Sequence, residues 1–117
     1  MALSQVIDIT SEQRETLIAL LSRHLPNTEV WVYGSRITGT SRAASDLDMV
    51  VFATPGQLRK VSDLRESFEE SNMPFRVDLF VWDDLPDNFR EQIEREHVVL
   101  SSTHEVFSQT KFPDISA

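Results

Sequence analysis

Two aspartates one residue apart, Asp46 and Asp48, follow a Gly34-Ser35 pair after an interval of ten residues. A glycine followed by a serine makes a tight turn whose amides and hydroxyl can cradle phosphate oxygens. The aspartates open Asp46-Leu-Asp-Met-Val-Val-Phe52, an apolar, β-branched run that reads as a strand. Strand side chains alternate, so both carboxylates face one side and Leu47 the other. A third carboxylate, Asp78, lies in a similar run, Arg76-Val-Asp-Leu-Phe-Val-Trp82. If the two strands are neighbours, the three acids converge. Such charges among apolar residues are costly unless they are solvated, paired or bound to a cation. Oxygen-only ligands favour magnesium or manganese over zinc. Phosphoryl and nucleotidyl transfer need this pairing of turn and carboxylates, because the polyanionic substrate must have its reacting oxygens held by metal ions.

Plainer readings stand beside this one. Ser35 can serve only as the N-cap of a short helix, Asp46 can be a loop-end residue, and Asp78 can pair with Arg76 or Arg36. His24 reads as a half-buried core or cap residue, and His97 and His104 have no metal-ligand spacing. Trp31 and Trp82 read as core, with base stacking at the sheet edge an alternative for Trp82.

The elements that must position these residues are legible in outline. Thr10-Ser-Glu-Gln13 is a capping box, and Leu17, Leu20, Leu21 and Leu25 recur at helical spacing before Pro26. Glu29-Val-Trp-Val-Tyr33 is apolar on both faces, as a central strand should be. Arg36 to Arg42 reads as a short helix or turn. Thr54-Pro55 opens a helix with Gln57 completing a second capping box, and its stripe is Leu58, Val61, Leu64 and Phe68. Asp83-Asp84 precedes a last helix with the stripe Leu85, Phe89 and Ile93. Val98 to Leu100 either extends that helix or packs as an extended piece. The order α-β-α-β-α-β-α predicts an α/β (α+β) fold, a small mixed β-sheet backed by helices. Residues 1–117 read as one domain, with 101–117 a packed arm or a loose C-terminal arm.

Composition narrows the partners. The net charge is −8, and the eleven basic residues are scattered among nineteen acidic ones. No basic patch suits duplex nucleic acid or a membrane surface. With no cysteine there is no disulfide framework and no thiolate site. No run is long enough to cross a bilayer and Met1 to Thr10 resembles no secretion signal, so the expected location is cytoplasmic.

Val32-Tyr-Gly-Ser-Arg36, Gly39-Thr40 and Ser45-Asp-Leu-Asp-Met-Val-Val51 resemble the minimal nucleotidyltransferases of the DNA polymerase β superfamily. Arg76-Val-Asp-Leu79 is similar to that family's later strand bearing its third carboxylate. The resemblance runs from the first helix to about Leu100. Two departures stand out: Ile37-Thr38 lacks a basic residue, and Ser101 replaces a frequent aromatic.

The resemblance implies a nucleotidyltransferase palm that binds a nucleoside triphosphate, with ATP favoured, through two Mg2+ ions, Mn2+ being an alternative. Asp46 and Asp48 would hold both metals. Asp78 would hold the one nearest the acceptor and help deprotonate its hydroxyl. Gly34 and Ser35 would contact the β- and γ-phosphates, with Arg36 and Arg42 as charge stabilisers. A chain this short has essentially only a palm, so its acceptor must come from outside. Small members of this family are paired with a helical HEPN protein, which implies an antitoxin that transfers AMP to a tyrosine of a HEPN ribonuclease toxin. Two alternatives remain open: a non-catalytic antitoxin or scaffold, and a partner-assisted enzyme acting on a small molecule such as an aminoglycoside. Homo-oligomerisation is open as well.

Overall fold

A computed structural model describes residues 7–100. Its elements run α1 (Ser11–His24), β1 (Val30–Tyr33), α2 (Ser35–Thr38), β2 (Leu47–Val51), α3 (Leu58–Glu70), β3 (Val77–Val81), α4 (Asp87–Arg95) and β4 (Val98–Val99). The proposed arm, 101–117, lies outside the described residues.

Both capping boxes form. The Thr10 hydroxyl accepts from the Gln13 amide at 3.0 Å, while the Gln13 side chain accepts from the Thr10 amide at 2.9 Å. Thr54 and Gln57 repeat the exchange, but over a 3-10 turn, Pro55–Gln57, that precedes α3. That extra turn sets the phase of α3, so Val61, Leu64 and Phe68 are buried whereas Leu58 is 49% exposed and leaves the stripe. The last helix also differs. Trp82–Asp84 forms a 3-10 turn, and Pro86 disfavours helical geometry at Leu85, which is extended at φ −89°, ψ 141°. The helix therefore starts at Asp87, with Leu85 buried ahead of it and Phe89 42% exposed; only Ile93 of the expected stripe is buried within α4.

The sheet order is β3-β2-β1-β4. β1 is antiparallel to β2, and β2 is parallel to β3 through the α3 crossover. Val98–Val99 pairs antiparallel with β1, and the Leu100 amide donates to the Val30 carbonyl at 2.8 Å. The final piece is thus a fourth strand, which follows the expected element order. One face of the sheet carries Val30, Val32, Met49, Val51, Leu79 and Val81, buried with Leu17, Leu21 and Leu25 of the α1 region and with the α3 stripe. Each such fully buried side chain contributes about 1.5–3 kcal/mol. The other face has a smaller cluster of Val50, Leu85 and Ile93, against which Trp31, Tyr33, Phe52 and Trp82 pack. Among the described residues no helix is long and apolar enough to cross a membrane.

Candidate active site

The strand register builds the site. Tyr33 pairs with Asp48, and Asp48 pairs with Asp78, so the three side chains form one row on the sheet face opposite α1 and α3. Asp46 lies just before β2 and reaches the same end of the sheet. Gly34 ends β1 and turns into α2. Its φ is +89°, and a Cβ there would stand 2.6 Å from the Asp48 carboxylate oxygen Oδ2. A left-handed backbone conformation and a close approach to a carboxylate both require glycine at this position. Ser35 is the first residue of α2, half-buried beside that turn.

The charges are unevenly compensated. Burial raises the Asp48 pKa to about 6, and Asp78 and Asp46 add to the rise, with Arg76 opposing it. Burial first, then Asp48 and Asp78, holds the Tyr33 phenol above its usual range. Arg76 answers part of the repulsion: its Nη2 is 3.3 Å from Asp46 Oδ2 and its Nε 3.0 Å from Asp78 Oδ1. Among the described residues no three acidic or imidazole groups form a cluster able to hold a metal ion. A guanidinium, 71% exposed, rests on two of the expected ligands. The donor set is nonetheless hard oxygen, with a carboxylate short of positive charge, which suits a divalent cation of the magnesium kind. The residues fit such an ion in type and charge, with Arg76 supplying positive charge to Asp46 and Asp78 in this structure.

The two other basic candidates differ from each other. Arg36 is only 5% exposed and lies over the Phe75 ring at 4.0 Å. Its guanidinium donates to the carbonyls of Asp8, Arg42, Ala43 and Ser45 at 2.8–3.1 Å. The structure thus gives Arg36 a positioning task, folding the loop from Gly39 to Ser45 back beneath the Asp46 end of β2. Burial and these carbonyl partners turn it away from the role of phosphate contact. Arg42 is exposed on that loop, its amide donating to the Ser45 hydroxyl at 2.8 Å. Asp8 completes the clasp, with its amide on the Arg36 carbonyl at 2.7 Å and its carboxylate accepting from Ser41.

Two hollows flank the row. One, about 450 Å³, opens on the Asp78 side and is lined by Arg65, Phe68, Met73, Phe75 and Phe80. The other, about 210 Å³, opens on the Gly34 side between Tyr33 and α4. Phe89 belongs to this second hollow. Its place in an apparent helical stripe hid that in the sequence, and only the Pro86 boundary could have signalled it. Trp82 joins an aromatic group in which Trp31 stacks on His97 at 3.7 Å and meets Phe52 edge-on at 4.7 Å.

Comparison with known proteins agrees with this geometry. The polymerase beta nucleotidyltransferase family matches residues 15–106. The chain is 36% identical over 95 residues to the probable protein adenylyltransferase MntA of Haemophilus influenzae, covering 80% of this chain and 83% of that protein. A solved minimal nucleotidyltransferase superposes with a TM-score of 0.59 at 32% identity, over 74% of this chain and 88% of that one. A toxin–antitoxin crystal structure with AMP-PNP shares the fold, with a TM-score of 0.54 at 19% identity over 74% of this chain and 71% of that one.

Proposed function

Because this chain belongs to the polymerase beta nucleotidyltransferase family and is a minimal, MntA-like member with nucleotidyltransferase activity, we propose that it transfers AMP from ATP to a hydroxyl of a partner protein. In this reading it is an antitoxin acting in the cytoplasm on a helical HEPN ribonuclease toxin, with magnesium as cofactor. The observation that carries the reading is the Tyr33–Asp48–Asp78 row, with Gly34 closed down on the Asp48 carboxylate. A scaffold that only binds has no need for a glycine pressed against a half-buried carboxylate.

The residues divide the work by position. The Gly34 amide and Ser35 hydroxyl bind the terminal phosphates. Asp46 and Asp48 would hold magnesium, which supplies neutralising charge for the phosphates and the leaving pyrophosphate. Asp78, on the edge strand, faces the larger hollow from which an acceptor side chain enters, and its carboxylate would take part in holding magnesium and in drawing the proton from the acceptor hydroxyl. Arg42, exposed on the clasped loop, would supply positive charge to the phosphates. Arg76 neutralises Asp46 and Asp78 before substrate arrives.

The test incubates the protein with its co-purifying partner, magnesium and α-labelled ATP. Label on a partner tyrosine is the expected result, lost in Asp46→Ala/Asp48→Ala. Full neutralisation of the partner by that double variant would assign the protein to partner binding alone.

A further inference from the structure

The hollow on the Asp78 side wraps the open edge of β3, an outer strand of the sheet. Its volume of about 450 Å³ lies within the roughly 300–1,000 Å³ of ordinary ligand sites. Phe68, Phe75 and Leu79 line it but are buried in the core, so their faces are already packed. Phe80 differs. It shares the site face of β3 with Asp78, pairs with Val50 of β2, and stays 37% exposed. The edge beside it is closed to strand addition. The Arg76 carbonyl accepts from the Leu47 amide of β2 at 2.8 Å, so alternation turns the Leu79 carbonyl outward. Arg65 of α3 takes that carbonyl, with Nε at 3.0 Å and Nη2 at 2.8 Å. A polypeptide cannot extend the sheet here without displacing a guanidinium, so what the hollow receives is a single side chain.

We propose that Phe80 is the platform on which the acceptor side chain lies, and that it selects the aromatic hydroxyl of tyrosine over serine or threonine. Asp78 and Phe80 are two residues apart, about 6.6 Å along the strand. A phenol laid against the Phe80 ring, offset or edge-on, projects its hydroxyl along the strand to the Asp78 carboxylate. A serine hydroxyl sits one carbon from its own backbone. Reaching Asp78 would bring the partner's main chain down onto Phe80 and bury amides without partners. In the transfer the phenolic oxygen bonds the α-phosphorus, the bond to the bridging oxygen breaks, and pyrophosphate leaves with that electron pair. The phenolic proton passes to Asp78.

The inference rests on the nucleotidyl-transfer reading, and two measurements separate them. In the first, N-acetyl-tyrosinamide or N-acetyl-serinamide is titrated into the whole 15N-labelled chain without nucleotide. The tyrosine amide is expected to shift the amide signals of Asp78, Leu79 and Phe80 more strongly than the serine amide does. In the second, transfer from α-labelled ATP to the co-purifying partner is followed. Phe80→Ala is expected to raise the KM for the partner about 10-fold, the scale of one lost aromatic pair, with the KM for ATP unmoved. Phe80→Trp, which keeps a ring, is expected to restore the partner KM. Transfer with an unchanged partner KM in Phe80→Ala overturns the platform and leaves the activity standing. Tyrosine-amide shifts on β3 without any transfer overturn the activity and leave the platform standing. Equal shifts with the two amides, or label on a serine or threonine of the partner, overturn the selection of an aromatic hydroxyl.

Discussion

Substituting Gly34 by alanine tests the closeness of the turn to the carboxylate row. Gly34 sits at φ +89°, ψ −159°, a region essentially restricted to glycine, where another residue costs about 1–3 kcal/mol. The new methyl carbon would also stand 2.6 Å from Asp48 Oδ2. The carboxylate must then turn off its rotamer, at about 0.5–1.5 kcal/mol more. Gly34→Ala should therefore lose roughly 1.5–4.5 kcal/mol of folding stability, or about 6–18 °C in Tm for a domain of this size. Gly39 supplies the control. Its φ of +83° and ψ of 12° lie in the left-handed helical region with nothing within 4 Å of a Cβ, so Gly39→Ala should lose only about 1–2 kcal/mol. Urea unfolding of both variants, with Asp48→Ala and the double variant Gly34→Ala/Asp48→Ala, closes a thermodynamic cycle. The pair should recover roughly 0.5–1.5 kcal/mol, the part owed to the displaced carboxylate. A Gly34→Ala variant no less stable than Gly39→Ala, or no recovery in the double variant, would refute the close-approach argument.

Three further expectations follow from the charges and the clasp. Asp48 has a folded pKa near 6, above its unfolded value of 3.8, so the stabilisation from its proton is present below pH 3.8 and is lost as pH rises through about 6. Thermal unfolding should thus find metal-free Asp48→Asn more stable than the parent at pH 7, with the gap closing by pH 4. Arg36→Ala strips a buried guanidinium from four carbonyls and should cost about 3–5 kcal/mol in urea unfolding, with faster proteolysis between Gly39 and Ser45. Arg36→Lys should not rescue it, since a point ammonium cannot reproduce the planar fork. Arg76→Ala removes the guanidinium from Asp46 and Asp78, so magnesium should raise Tm more in this variant than in the parent, as read by a thermal-shift titration.

Local rules carried much of the fold. The capping boxes at Thr10 and Thr54, the strands around Asp48 and Asp78 and their parallel pairing follow from spacing, side-chain alternation and the need for a crossover helix. The residues that escaped local rules depend on distant partners or on phase. Val98–Val99 is too short to declare itself a strand without the free edge of β1 beside it. Leu58 and Phe89 lie in periodic patterns, yet a 3-10 turn and Pro86 rotate them outward. Arg36 looked like a cation near phosphate, but its partners are carbonyls as far away in sequence as Asp8. Arg76 was legible as a partner for Asp78, and only the register shows that it reaches Asp46 as well.

The position of β4 sets an order of events during synthesis. β1 has β2 on one side and Val98–Val99 on the other, so its outer edge stays open while roughly 65 further residues are made, about 3–13 s at ordinary translation rates. For that interval the nascent chain presents the unpaired backbone of a Val-rich strand, a template for pairing with other chains. The carboxylate row is synthesised well before that edge is sealed. Any ribosomal pause or truncation before Val98 leaves the chemical residues in place on a sheet still competent to aggregate, so the last described turn of chain guards solubility more than chemistry.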